Sequence, residues 1–210
     1  SMLFIIPGFP FITSGIDLAK LDMRSGLERL AYAVIIVVIA TTTAWVMSMI
    51  LNLQPGEFAE LSLHPAVLLI LRLIMSFIGV FGFSIMFNSP VTIAASAAGI
   101  GAIANTLRLE LVSLISLNAA VAAFLGALTA GLLASLLMKR LGYPRISVTV
   151  PSIVIMVPGL YLYRAVYSMG EMSLTQSAPW LVSALLIIMA LPLGLIFARI
   201  ISDRSFRHGT

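Results

Sequence analysis

LVSLISLNAAVAAFLGALTAGLLASLLM, residues 111–138, runs its whole length without a charged side chain. As a helix it is long enough to cross the roughly 30 Å hydrocarbon core of a bilayer. Working outward from it, five further apolar stretches appear: Leu30–Leu53, Ala66–Phe87, Val91–Leu107, Ile146–Tyr167 and Pro179–Ile201. Val91–Leu107 is short and reads as a tilted or partly embedded helix. Turn chemistry separates several spans, with Gln54-Pro55-Gly56 after the first, Asn88-Ser89-Pro90 after the second and Gly142-Tyr143-Pro144 after Met138. The fold class that follows is all-α integral membrane, a bundle of about six transmembrane helices.

Composition says the same. Hydrophobic residues make up 60% of the chain and charged ones 10%, with a mean hydropathy of +1.12, against roughly 25% charged in soluble domains. So much apolar surface cannot be hidden at this length, and lipid must cover the outside. The net charge of +4 is scattered between apolar runs, which argues against nucleic acid as a partner. The chain has no cysteine and two histidines, His64 and His208, so thiolate and imidazole chemistry are thin and no metal or cofactor is expected. HExxH, GxSxG and deep aspartate pairs are lacking, which argues against an enzyme. The N-terminus has no basic n-region and is not read as a signal peptide, and Ser1 before Met2 reads as a cloning scar.

Lys20, Arg24 and Arg29 precede the first span, Lys139, Arg140 and Arg145 follow the fourth, and Arg199, Arg204 and Arg207 end the chain. Threading six spans puts all nine on one side, which the positive-inside rule makes the cytoplasm. The C-terminus is then cytoplasmic, and the loop with Glu57 and Glu60 is external. Small residues recur at helical spacing in Ala94, Ala95, Ala98, Gly99 and Ala102, and again from Ala119 to Gly131. They read as close helix packing, with a substrate path as the alternative.

A repeat joins the two ends. Ile6-Pro7-Gly8-Phe9 leads through Asp17 to the first span, and Val157-Pro158-Gly159-Leu160 leads through Glu171 to the last, 151 positions later. From the end of the first copy to the end of the second there are five spans, so the copies enter the membrane in opposite directions, the arrangement of inverted-repeat transporters. Pro158-Gly159 lies inside the fifth span, where proline removes a backbone donor and glycine permits a non-helical torsion. The pair is either a kink or a broken helix whose free N–H groups meet a carboxylate. Ionisable groups in the membrane are candidates by default. Arg72 and Arg164 lie near span ends, where they either snorkel or counter a substrate carboxylate. Asn88, Asn105 and Asn118 offer uncharged polar contacts. Asp17 and Glu110, each beside an apolar segment, are the carboxylates placed to carry a proton.

Leu71-Arg72-Leu73 through Asn88-Ser89-Pro90, then Leu141-Gly142-Tyr143-Pro144, Val150-Pro151-Ser152-Ile153 and Val157-Pro158-Gly159-Leu160-Tyr161-Leu162-Tyr163-Arg164, resemble the C-terminal domain of the threonine/serine exporter family. Pro7-Gly8 through Asp17-Leu18 and Ser25 to Leu30 resemble the tail of that family's N-terminal domain. The resemblance implies two five-helix domains and export of small hydroxylated amino acids on the proton gradient across a bacterial-type cytoplasmic (inner) membrane. Residues 1–53 would then be the tail of a first repeat, 54–65 an external loop and 66–210 a second five-helix domain. Most of a first domain is missing, so transport would need a complementary half or a homo-oligomer, and that half is another possible home for the proton carrier. Substrate binding is expected at Pro158, Gly159, Tyr163, Arg164, Asn118, Pro7 and Gly8. The rival reading is a non-transporting scaffold or partner-binding subunit.

Overall fold

The structure, a computed structural model, describes residues 7–51, 63–141 and 144–203. Glu57 and Glu60 of the external loop, the Gly142-Tyr143 pair, and Arg204 and Arg207 lie outside the described residues. Those described form eight helices and no strand: α1 (Gly8–Ala19), α2 (Met23–Ile50), α3 (Pro65–Met86), α4 (Val91–Ile115), α5 (Ala119–Leu141), α6 (Ile146–Val154), α7 (Gly159–Gly170) and α8 (Leu174–Ser202). Five of them (α2, α3, α4, α5 and α8) are long and apolar enough to cross a membrane, and α6 and α7 together form a sixth candidate bent by 47°. A bend of that size redirects the chain without reversing it, so the pair reads as one broken span. The protein is an all-α integral membrane protein.

Exposed apolar side chains run along the outer helices, Val34, Ile35, Val38 and Ile39 on α2 and Ile70, Ile74 and Ile78 on α3, where lipid replaces water as their solvent. Within the interior, α4 and α5 contribute mainly small residues. Ala94, Ala97, Ala98 and Ala104 of α4 and Ala123, Ala127, Ala130 and Ala134 of α5 are fully buried, letting backbones approach where apolar burial gives no drive. Of the two small-residue stripes, the one on α5 is consumed in this packing, while Ala95 and Gly99 of α4 stay on an open groove beside Leu133, Leu136 and Leu137.

The division between the third and fourth spans differs from the sequence reading: residues 111–115, read as the start of the fourth span, belong to α4, and α5 begins only at Ala119. α4 does not stop at Leu107 but continues through Arg108 and Glu110 to Ile115, and the turn falls at Ser116, in the left-handed region with φ 52°. The charged residues that looked like a loop have partners inside the bundle, so the helix has no reason to end there. Glu110 therefore lies on a spanning helix rather than beside one. The Asn88 turn stands as read: Asn88 takes φ 58°, and the N–H of Ser89 reaches back to the carbonyl of Ser84 at 3.1 Å, closing the end of α3.

The ends of the chain repeat each other in conformation. α1 and α7 are both twelve residues long, and each follows a Pro-Gly step. Each then turns through a left-handed residue, Leu21 at φ 64° and Met172 at φ 57°, into a long helix. These elements keep the 151-position offset, and they pack crosswise, α1 against α8 and α2 against α7.

Candidate functional site

Proline at position 158 cannot donate to the carbonyl of Val154, so the helix stops there. Pro158 takes φ −81° and ψ 55°, and the N–H of Gly159 donates to the carbonyl of Val157 at 2.8 Å, an inverse γ-turn. Pro7 takes nearly the same torsions, φ −74° and ψ 68°. The two segments also meet. Gly8 is buried against the break, where a Cβ would stand 2.8 Å from Val154 Cγ2 and 2.9 Å from Val157 Cγ2. Only glycine lets the start of α1 come so close. Pro7, Gly8, Pro158 and Gly159, far apart in sequence, thus share one place in the core.

The break frees fewer backbone donors than the sequence led us to expect. The Gly159 N–H is taken by Val157, and Met156 and Val157 donate back to Ile153 and Val154 at 2.9 and 3.2 Å. What the break does release is a carbonyl. In an unbroken helix the oxygen of Met156 would accept from Leu160; here it accepts from Arg108 Nη1 at 3.0 Å.

Arg108 comes from α4, where the polar residues Asn105 and Thr106 precede it and Glu110 follows. Asn105 Nδ2 donates to Ser76 Oγ of α3 at 2.8 Å, while Asn105 Oδ1 and Thr106 Oγ1 are buried with no partner. An unsatisfied buried acceptor costs about 1–3 kcal/mol. Two residues beyond Arg108, Glu110 Oε1 receives Arg72 Nη1 at 2.7 Å, and Ser113 Oγ accepts from the same nitrogen at 2.9 Å. Arg72 is thus paired across α3 and α4. Among the described residues no carboxylate lies within ion-pair distance of Arg108.

The other candidates are distributed around this centre. Arg164, on α7, lies over the Trp180 ring of α8, 4.7 Å from its centroid, and Tyr161 meets the same ring edge-on at 5.5 Å. Tyr163 stands against Tyr167, centroids 6.2 Å apart. Asn118 is not at the centre: it is exposed at the start of α5, where its Oδ1 accepts from the N–H of Ala120 at 2.9 Å as a helix cap. Asp17 ties α1 to α2, with Arg29 Nη1 at 2.9 Å and Ser25 Oγ at 3.2 Å. Arg108 was not singled out in the sequence. The available signal was its place in an apolar helix, visible only once α4 is known to continue past it.

A cavity of about 340 Å³ opens between α1, the start of α6 and the end of α8. Lys20, Arg145, Arg199 and Asp203 rim it, together with Ile16 and Thr149. Arg145 is held in place by donating to the Gly131 carbonyl at 2.7 Å and to Ser202 Oγ at 2.9 Å. Burial first, then neighbouring Arg199, lowers the pKa of its guanidinium, with Asp203 working the other way. The rim carries more positive than negative groups and suits an anionic or zwitterionic solute.

Residues 72–201 match the family described as Threonine/Serine exporter, ThrE, and residues 1–52 match a second threonine/serine exporter description. Comparison with curated proteins gives no match, nor does comparison with solved structures. The first match alone spans more than half of the chain, and together the two take in both copies of the Pro-Gly segment. This multi-pass membrane protein belongs to the threonine/serine exporter family.

Proposed function

We propose that the chain is one half of an exporter of small hydroxylated amino acids, threonine and serine, and that substrate crosses where the two Pro-Gly breaks meet. The observation that carries this reading is the packing of Gly8 on Val154 and Val157. Repeated segments brought together at a break are how inverted-repeat transporters build a central site. The basic cavity between α1, α6 and α8 supports it as the loading side, facing the cytoplasm by the charge rule. In this reading residues 1–53 close a first repeat, residues 66–210 form a second domain, and the membrane is the bacterial-type cytoplasmic one.

Export against a gradient needs a coupled ion, and Asp17 and Glu110 are the proton candidates within this chain. Each is paired with an arginine, Arg29 and Arg72, so protonation would release a guanidinium and loosen the contact. A single copy of the inverted repeat supplies only part of the pathway. The chain therefore works with a complementary half or a second copy in the opposite orientation. In liposomes, threonine efflux should be at background with the purified 210-residue chain inserted in one orientation and should appear when the missing half is co-reconstituted. Robust proton-driven efflux from uniformly oriented single chains would contradict the half-transporter reading.

A further inference from the structure

We infer that Arg108 is the residue that receives the substrate's α-carboxylate, with Asn105 offering an acceptor to its ammonium or hydroxyl group. The inference rests on the exporter reading and adds a recognition element to it. A guanidinium has five N–H donors in a planar fork, and Arg108 spends one on the Met156 carbonyl. The charge itself is uncompensated, because the one carboxylate nearby on α4, Glu110, is taken by Arg72. An unpaired cation on a membrane-spanning helix is costly, and a carboxylate docking bidentately on the remaining donors would relieve that cost.

The second observation is independent of the charge. Asn105 stands three residues before Arg108, on the same side of α4, and its buried Oδ1 has no donor. A cation on the same helix side as an unsatisfied acceptor is the complement of an amino acid, which brings a carboxylate together with N–H and O–H donors. The place is also where the chain bends. Because Arg108 also holds the carbonyl released at the α6–α7 break, a carboxylate on its remaining donors would be tied through the same guanidinium to α6 and α7. Thr149, which lines the cytoplasmic cavity, is seven residues before Met156 on the same broken span.

The test uses the full chain in lipid nanodiscs, titrated calorimetrically with L-threonine and with L-threoninamide, which lacks the carboxylate. Wild type should prefer threonine at least tenfold. R108Q, which keeps a donor for the Met156 carbonyl but loses the charge, should bind threonine about ten- to a hundredfold more weakly and bind the amide as wild type does. R108K keeps the charge without the fork and should fall between the two. R108Q with wild-type preference and affinity would reduce Arg108 to a latch on the break and overturn the inference while leaving the exporter reading intact. If R108Q does not fold, the wild-type titrations and R108K decide: equal affinity for acid and amide, or an R108K indistinguishable from wild type, overturns it. A wild-type chain that binds neither compound overturns the inference, because Arg108 and Asn105 both belong to this chain, and leaves the exporter reading to the efflux measurement on the two halves.

Discussion

Gly101 lies at a close contact between α4 and α6. A Cβ there would lie 2.7 Å from the Ser152 carbonyl oxygen and 2.6 Å from Val80 Cγ2. A side chain can turn aside, but the backbone of Ser152 cannot, so the helices would have to separate. Gly101→Ala should therefore destabilise the protein by about 1–3 kcal/mol, read as a lower unfolding midpoint in detergent. Gly82 is the control, since nothing lies within 4 Å of its Cβ position. Gly82→Ala should be neutral or stabilising by up to about 1 kcal/mol, because alanine loses less freedom in a helix. Equal losses at the two sites would mean that the α4–α6 contact is looser than the structure has it. Arg72, Arg108 and Arg164 make the same point about charge. Three arginines near spanning helices find three different partners, a carboxylate, a carbonyl and a tryptophan ring, and only the second leaves its charge uncompensated by an anion or a ring.

The broken span is the element whose geometry matters most to the proposal. Its break is made by the missing N–H of Pro158, and the inverse γ-turn then uses the Gly159 N–H locally. Replacing both residues with alanine restores a donor at position 158 and lets α6 run on into α7. A straightened helix would reclaim the Met156 carbonyl from Arg108 and lift Val154 and Val157 away from Gly8. Threonine export by the two-half protein should fall at least tenfold with this double replacement, while the chain still inserts and elutes as a single species. Alanine at Ile188 and Met189 of α8, where no break exists, should leave export within about twofold. Wild-type export after the double replacement would make the Pro-Gly step a structural kink and nothing more.

At the scale of the whole molecule, the two hairpins α1–α2 and α7–α8 match in length, in torsion at the proline and in the left-handed turn residue, and they pack crosswise. The proposed six-span threading has them enter the membrane in opposite directions. Single cysteines at Lys20 and at Met172, which is 93% exposed in the α7–α8 turn, test this directly. An impermeant maleimide added to intact cells should label the Met172→Cys protein and label Lys20→Cys only after the membrane is opened. Labelling of both from outside would overturn the threading and the inverted relation with it.

The sequence by itself determined the membrane fold, the approximate spans and the repeat. Hydropathy over about twenty residues is a local property that the bilayer reads directly, and Pro-Gly carries its torsional consequence wherever it stands. The end of α4 was not legible, because a charged residue marks a loop unless something across the bundle pairs with it. Arg72 and the Met156 carbonyl do so from 38 and 48 residues away. For the same reason the sequence does not show that Asn118 caps α5 or that Arg108, just past the apolar stretch read as ending at Leu107, stands at the break. Which polar groups meet is decided by packing between helices distant in the chain, and only the tertiary structure brings Gly8, Met156 and Arg108 to one place.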